Sequence, residues 1–137
     1  MNFVQDNHSK STYGVLRGLH YQKKPFEQGK LVRVISGIVY DVAVDLRKNS
    51  LTYGQWDAVV LSSENKRMFW VPEGFAHGFI VISKEAEFLY KTTNFYNPQS
   101  ERSIKWDDPD LDIKWPTMNK IISMKDSNGQ FFRDIRI

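Results

Sequence analysis

Cysteine is missing altogether from the 137 residues. Disulfides, thiolate metal sites and cysteine nucleophiles are thereby excluded together, and a reducing compartment is the expected setting. Long apolar runs are missing too. A stretch such as "GFIVIS" falls far short of the roughly 20 residues a membrane helix needs, and no basic-then-apolar segment opens the chain. The expected location is cytoplasmic, with no membrane partner. Runs of one charge are also lacking, because 19 lysines and arginines are scattered among 16 acidic residues for a net charge of +3. That pattern argues against nucleic acid as a partner and leaves room for a small anion held by a few converging cations. Repeats, linkers and low-complexity segments are absent, so one domain over 1–137 is expected.

Several catalytic templates are absent as well. With no HxH pair, His8, His20 and His77 would have to converge from separate segments to bind a metal, so no metal and no cofactor is expected. Neither a GxSxG elbow nor a GxxxxGK[ST] or GxGxxG phosphate loop occurs.

What is present is strand periodicity. In "GIVYDVAVDL", Ile38, Tyr40, Val42, Val44 and Leu46 share one face, and Val39, Asp41, Ala43 and Asp45 share the other. Both faces look at least partly enclosed. "KLVRVIS" precedes it as a strand, and Ser36 and Gly37 between the two suggest a tight hairpin. "GQWDAVVLS", "RMFWVP", "GFIVIS" and "EFLYKTT" follow, separated by turn formers such as "SSEN", "PEG" and "NPQS". Helical signal is thin: one turn in "LSSENKRM", and a short helix in the tail "PTMNKIISMKDSNGQFF". The expectation is an all-β sandwich or barrel. Asp41 and Asp45 lie either toward an internal cavity or on an exposed face.

"GVLRGLHYQ" sets an arginine and a histidine among glycines in a strand-like run. Arg17 and His20 are three residues apart, which on a regular strand points them to opposite faces. A bulge at Gly18 would bring both into one cavity. Taken singly, the other polar candidates have ordinary structural readings. His20 and His77 suit core hydrogen-bonders, and Lys30 a solvated strand end. Tyr90 suits a core aromatic, Asp126 a turn or cap, Lys125 the surface and Tyr96 a loop.

Together, the blocks "FVQDNHSKS", "GVLRGLHYQ", "QGKLVRVISGIVYDVAVDLRKNS", "YGQW", "WVPEGFAHGF", "YKTTNFY", "IKWDDPDLDIKWP" and "SMKD" resemble the dTDP-4-dehydrorhamnose 3,5-epimerases of the nucleotide-sugar cupin family, in order along the chain. The resemblance implies a cupin-type jelly-roll antiparallel β-barrel with a short C-terminal helical or loop segment. It also implies a homodimer, no metal, and a dTDP-4-keto-6-deoxyhexose substrate on the route to dTDP-L-rhamnose. By the same resemblance, His20 is the catalytic base, Asp126 its partner, Tyr90 the acid on the opposite face of the sugar, and Lys30 the cation that stabilises the enolate. Arg17, His77 and Lys125 are substrate contacts; Gln5, Asp6, Asn7 and Glu101 match nucleotide-binding positions, and Tyr96 the ring that stacks on thymine.

Family members carry a further segment upstream of the "FVQDN" block, with early strands, an "RGFF"-like motif, and an arginine and a glutamate that help hold the nucleotide, partly across the dimer. This chain starts at Met1, so the catalytic set is expected to be complete while nucleotide affinity and the exchanged strands are expected to be altered. The rival readings are an epimerase at C3 or C5 alone, a ketoisomerase, or a non-catalytic nucleotide-sugar-binding cupin.

Overall fold

Alternating β-branched and aromatic residues build most of the strands, and the computed structural model describes residues 2–116 and 119–136. In order these are β1 (Gln5–Thr12), β2 (Val15–Gln22), β3 (Lys30–Ser36), β4 (Ile38–Asp45), β5 (Trp56–Ser62), β6 (Met68–Val71), β7 (Phe75–Val81), β8 (Glu85–Thr92), β9 (Glu101–Ser103) and β10 (Ile121–Ile122). A four-residue helix, α1 (Met124–Ser127), and a 3-10 turn at Phe132–Asp134 follow. Among the described residues, no helix is long and apolar enough to cross a membrane.

One sheet has the order β1-β8-β3-β6, and the other runs β10-β2-β7-β4-β5 with β9 also on β2. All pairs are antiparallel except β10 with β2. Consecutive strands mostly alternate between the two sheets, which is jelly-roll connectivity.

The hairpin expected at Ser36–Gly37 is not formed. β3 pairs with β6 and β8, whereas β4 pairs with β5 and β7, so Gly37 carries the chain across from one sheet to the other. Its backbone is left-handed at φ +83°, and a Cβ there would stand 2.1 Å from the Glu85 carbonyl oxygen. The same two residues would serve a hairpin. What decides is burial: Val32 and Val34 of β3 face Val39 of β4 across the interior, together with Leu61, Phe79, Val81 and Phe88.

A second apolar layer lies on the outer face of the six-stranded sheet. Leu19, Tyr21, Val42, Val44, Leu46 and Ala76 pack there against Ile104, Leu111 and Ile135 of the C-terminal segment. β4 is therefore covered on both faces, as its continuous apolar run suggested. The segment is pinned by buried Asp108, which accepts from the backbone N–H groups of Asp110, Leu111 and Phe132 at 2.9, 3.1 and 2.7 Å. The short helix expected within 116–132 is present as α1, preceded by β10; Thr117 and Met118 of that stretch lie outside the described residues.

Both aspartates of β4 are buried and partnered, which removes the exposed-face alternative. Asp45 accepts from the Arg47 backbone and guanidinium and from the hydroxyls of Ser50 and Thr52, tying the β4–β5 connection. Asp41 pairs with His77.

Candidate active site

The slip expected at Gly18 is present. β2 pairs with β7 through Arg17–Phe79 and then His20–His77, so β2 spends one residue more than its partner between these points. Gly18 has φ +129°, and a Cβ on it would lie 2.7 Å from the Gly78 Cα. Two glycines thus let the strands approach where the register shifts. The consequence is that Arg17 and His20 line one cavity of about 360 Å³ between the sheets, with Asn7, Lys30, His77, Phe79, Phe88 and Tyr90. Leu19 between them turns into the outer core.

His20 is half-buried and its Nε2 lies 2.6 Å from the Asp126 Oδ1. The other Asp126 oxygen accepts from the Gly18 N–H at 3.1 Å, so the bulge that admits His20 also fixes its partner. Burial pushes the Asp126 carboxyl up, but the His20 hydrogen bond and charge, the Gly18 N–H and Lys125 outweigh it and hold it below the ordinary carboxylate range. An ionised carboxylate only accepts. His20 therefore donates to it from a proton on Nε2. Asp126 comes from α1, whose N-cap Ser123 accepts from the Asp126 backbone N–H at 3.1 Å.

Tyr90 and Lys30 stand on the facing sheet, on the inward side of β8 and β3 with Phe88 and Val32. The Lys30 Nζ lies 5.6 Å from the centre of the Tyr90 ring. Burial lowers the Lys30 ammonium, opposed by the charges of Asp41 and Glu101. Burial raises the Tyr90 hydroxyl, with Glu101 adding to the rise and Arg17 opposing it. Tyr90 is therefore held as a neutral phenol able to give a proton.

His77 is buried beside them, with Nε2 at 2.8 and 3.0 Å from the two Asp41 oxygens. Asp41 was legible in the sequence only as an aspartate on the same face as Val39 and Ala43; its histidine partner is 36 residues away.

The nucleotide-binding candidates divide. Gln5 and Asn7 face inward from β1, hydrogen-bonded to each other at 3.1 Å, and Gln5 also accepts from the Tyr96 backbone N–H at 3.0 Å. Tyr96 is itself exposed, and Glu101 on β9 is paired with Lys125. The Lys125 ammonium is raised chiefly by that bond. Asp6 is not brought to the cavity. Strand alternation turns it to the outer face of the four-stranded sheet, where Lys91 Nζ lies 2.9 Å away. A wider cavity of about 640 Å³ opens on the other side of His20 and Lys30, walled by Gln22, Glu27, Arg47 and Phe75.

The model of the family described as dTDP-4-dehydrorhamnose 3,5-epimerase matches residues 1–134. A protein of that name from Shigella flexneri is 63% identical over 134 residues, covering 98% of this chain and 74% of its own length. The crystal structure of the Elizabethkingia anophelis epimerase superposes with a TM-score of 0.96 at 56% identity, over 97% of this chain and 74% of the other. A Legionella pneumophila dTDP-6-deoxy-D-glucose-3,5-epimerase, solved in complex with dTDP-4-keto-L-rhamnose, gives 0.95 at 54% identity, over 98% and 72%. With the fold, the cavity and these similarities in agreement, the chain belongs to the dTDP-4-dehydrorhamnose 3,5-epimerase family.

Proposed function

We propose that this chain epimerises C3 and C5 of dTDP-4-dehydro-6-deoxy-D-glucose, giving dTDP-4-dehydro-L-rhamnose. The observation that carries this reading is the set around one cavity: His20 on one sheet, bonded from behind by Asp126 of α1, with Lys30 and Tyr90 on the facing sheet.

In a 4-keto sugar the protons on C3 and C5 are acidic because both carbons adjoin the carbonyl. His20 Nδ1 takes such a proton, and Asp126 stabilises the imidazolium that forms. Negative charge then grows on the C4 oxygen, where the Lys30 ammonium stabilises it more than it stabilises the neutral ketone. Inversion needs the new proton on the opposite face. Tyr90 gives it in this reading, which the position of Tyr90 on the sheet facing that of His20 supports. Arg17, His77, Gln5, Asn7, Glu101 and Lys125 complete the reading as contacts to the sugar, diphosphate and nucleoside, with Tyr96 beneath the base. Asp6, turned outward here, is left out of this set.

A homodimer belongs to the same reading. Ile35, Met68 and Trp70 are exposed on the outer face of the four-stranded sheet, an apolar surface suited to a second copy. Light scattering is expected to give twice the 16.1 kDa of the chain, and the monomer mass would contradict it.

Incubation with dTDP-4-keto-6-deoxy-D-glucose, borohydride reduction of the C4 ketone and sugar analysis test the reaction. Double inversion yields L-rhamnose with its C4 epimer, 6-deoxy-L-talose. Recovery of only 6-deoxy-D-glucose and D-fucose would refute it.

A further inference from the structure

The proton path of the reaction makes no use of Asp41, yet this aspartate sits at zero exposure in β4, directly behind the cavity. Both its oxygens are spent on His77 Nε2. With Asp41 ionised, only His77 can donate in this contact, which puts its ring proton on Nε2. The imidazole is clamped as well as bonded: Phe88 is stacked on it with ring centres 6.0 Å apart and planes 19° apart, and Phe79 lies at 6.4 Å. A buried carboxylate is costly unless a charge or donor answers it. His77 is the first group to answer Asp41, and the charge of Lys30, which lines the same cavity as His77, adds to it.

We propose that Asp41 is a positioning residue, holding His77 as the neutral Nε2-protonated tautomer and supplying the negative charge that keeps Lys30 an ammonium inside the cavity. The inference rests on the epimerase reading, in which Lys30 must be charged when the C4 oxygen gains its electrons.

Burial and neighbouring charge pull against each other at each of these groups. Burial drives Lys30 toward the amine, and Asp41 followed by Glu101 opposes it. Burial likewise drives Asp41 toward the acid, and His77 and Lys30 oppose it. For His77, burial disfavours the imidazolium, Asp41 opposes, and Lys30 and His20 add to burial. In the proposed state Asp41 and Lys30 are charged and answer each other, while His77 stays neutral. The other titratable groups around the cavity are His8 on β1, Arg17 and His20 on β2, and Tyr90 on β8, with Asp126 on α1 behind His20 and Glu101 on β9 acting on Lys30 and Tyr90.

NMR on the whole chain without substrate tests this. In the wild type, ring 15N shifts should show His77 protonated on Nε2 and bare on Nδ1, with no imidazolium between about pH 6 and about pH 8. Asp41→Asn keeps the size and an acceptor oxygen but removes the charge, so the Lys30 13Cε titration, identified by its loss in Lys30→Met, should move to lower pH while the His77 tautomer stays. With substrate, the alkaline limb of kcat should move the same way and kcat should fall about tenfold or more, with dTDP affinity unchanged. A purely structural Asp41 would lower stability and leave the Lys30 midpoint where it was. That result overturns the proposal, as would a wild-type His77 that is cationic or protonated on Nδ1. If Asp41→Asn does not fold, the wild-type tautomer still decides. A wild type that turns over no substrate would refute the epimerase reading, and these titrations would judge Asp41 independently.

Discussion

His20 and Asp126 meet at 2.6 Å although 106 residues separate them, and most of the chemistry assigned here depends on such encounters. Replacing Asp126 by Asn removes the charge that fixes the His20 tautomer, and turnover should fall on the order of 10²- to 10⁴-fold. Steady-state kinetics beside an unchanged circular dichroism spectrum would check it; near-normal turnover would mean that His20 needs no carboxylate. Tyr90→Phe should separate two steps, sparing proton removal more than inversion, so solvent deuterium should enter the sugar faster than inverted product appears. Equal losses would show that Tyr90 has some role other than giving the second proton. At this scale the sequence was legible where the signal is local. Gly18 marked the slip that puts Arg17 and His20 in one cavity. Asp126 read on its own as a turn or cap residue, and it does lie in the first turn of α1. Only the family resemblance pointed to its histidine, and no local pattern paired Asp41 with His77.

Among the elements, the C-terminal segment does two things at once. Leu111 and Ile135 seal the outer core of the six-stranded sheet, and the same segment delivers α1 with Asp126. Leu111→Ala should cost about 2–4 kcal/mol by leaving a cavity in that core, read as a lower urea midpoint with an unchanged m-value. A change under about 0.5 kcal/mol would mean that the segment is not packed as described. The strands themselves were written in alternation that survives in the fold, including the two-sided burial of β4. Their pairing was not so written. Ser36–Gly37 suits a hairpin and a crossover alike, and the choice rests on distant partners: β8 and β6 for β3, β7 and β5 for β4. Asp6 shows the reverse limit, since its block matched the family while strand alternation turns its side chain out to Lys91.

Over the whole molecule, the ionised carboxylates set the response to acid. Burial pushes Asp45 up, but its bonds from Arg47, Ser50 and Thr52 outweigh this and hold it well below the usual range; Asp126 is likewise lowered by His20 and its other partners. For a depressed carboxyl, the stabilisation is present above the unfolded value near about 3.9 and is lost as pH falls toward the folded value. Urea unfolding should therefore show stability falling below about pH 4, and Asp45→Asn should flatten that slope. A wild-type profile flat from neutral pH to about pH 3 would contradict it. Asp41 works in the opposite sense, because burial raises its carboxyl. The central claim concerns the cavity that this fold encloses, and one experiment addresses it most directly: proton NMR of dTDP-4-keto-6-deoxy-D-glucose in deuterated water with the wild-type chain and with His20→Ala. Loss of both the C3 and C5 proton signals with the wild type, and of neither with His20→Ala, is the predicted result. No exchange by folded wild-type protein, or undiminished exchange without His20, would contradict the account.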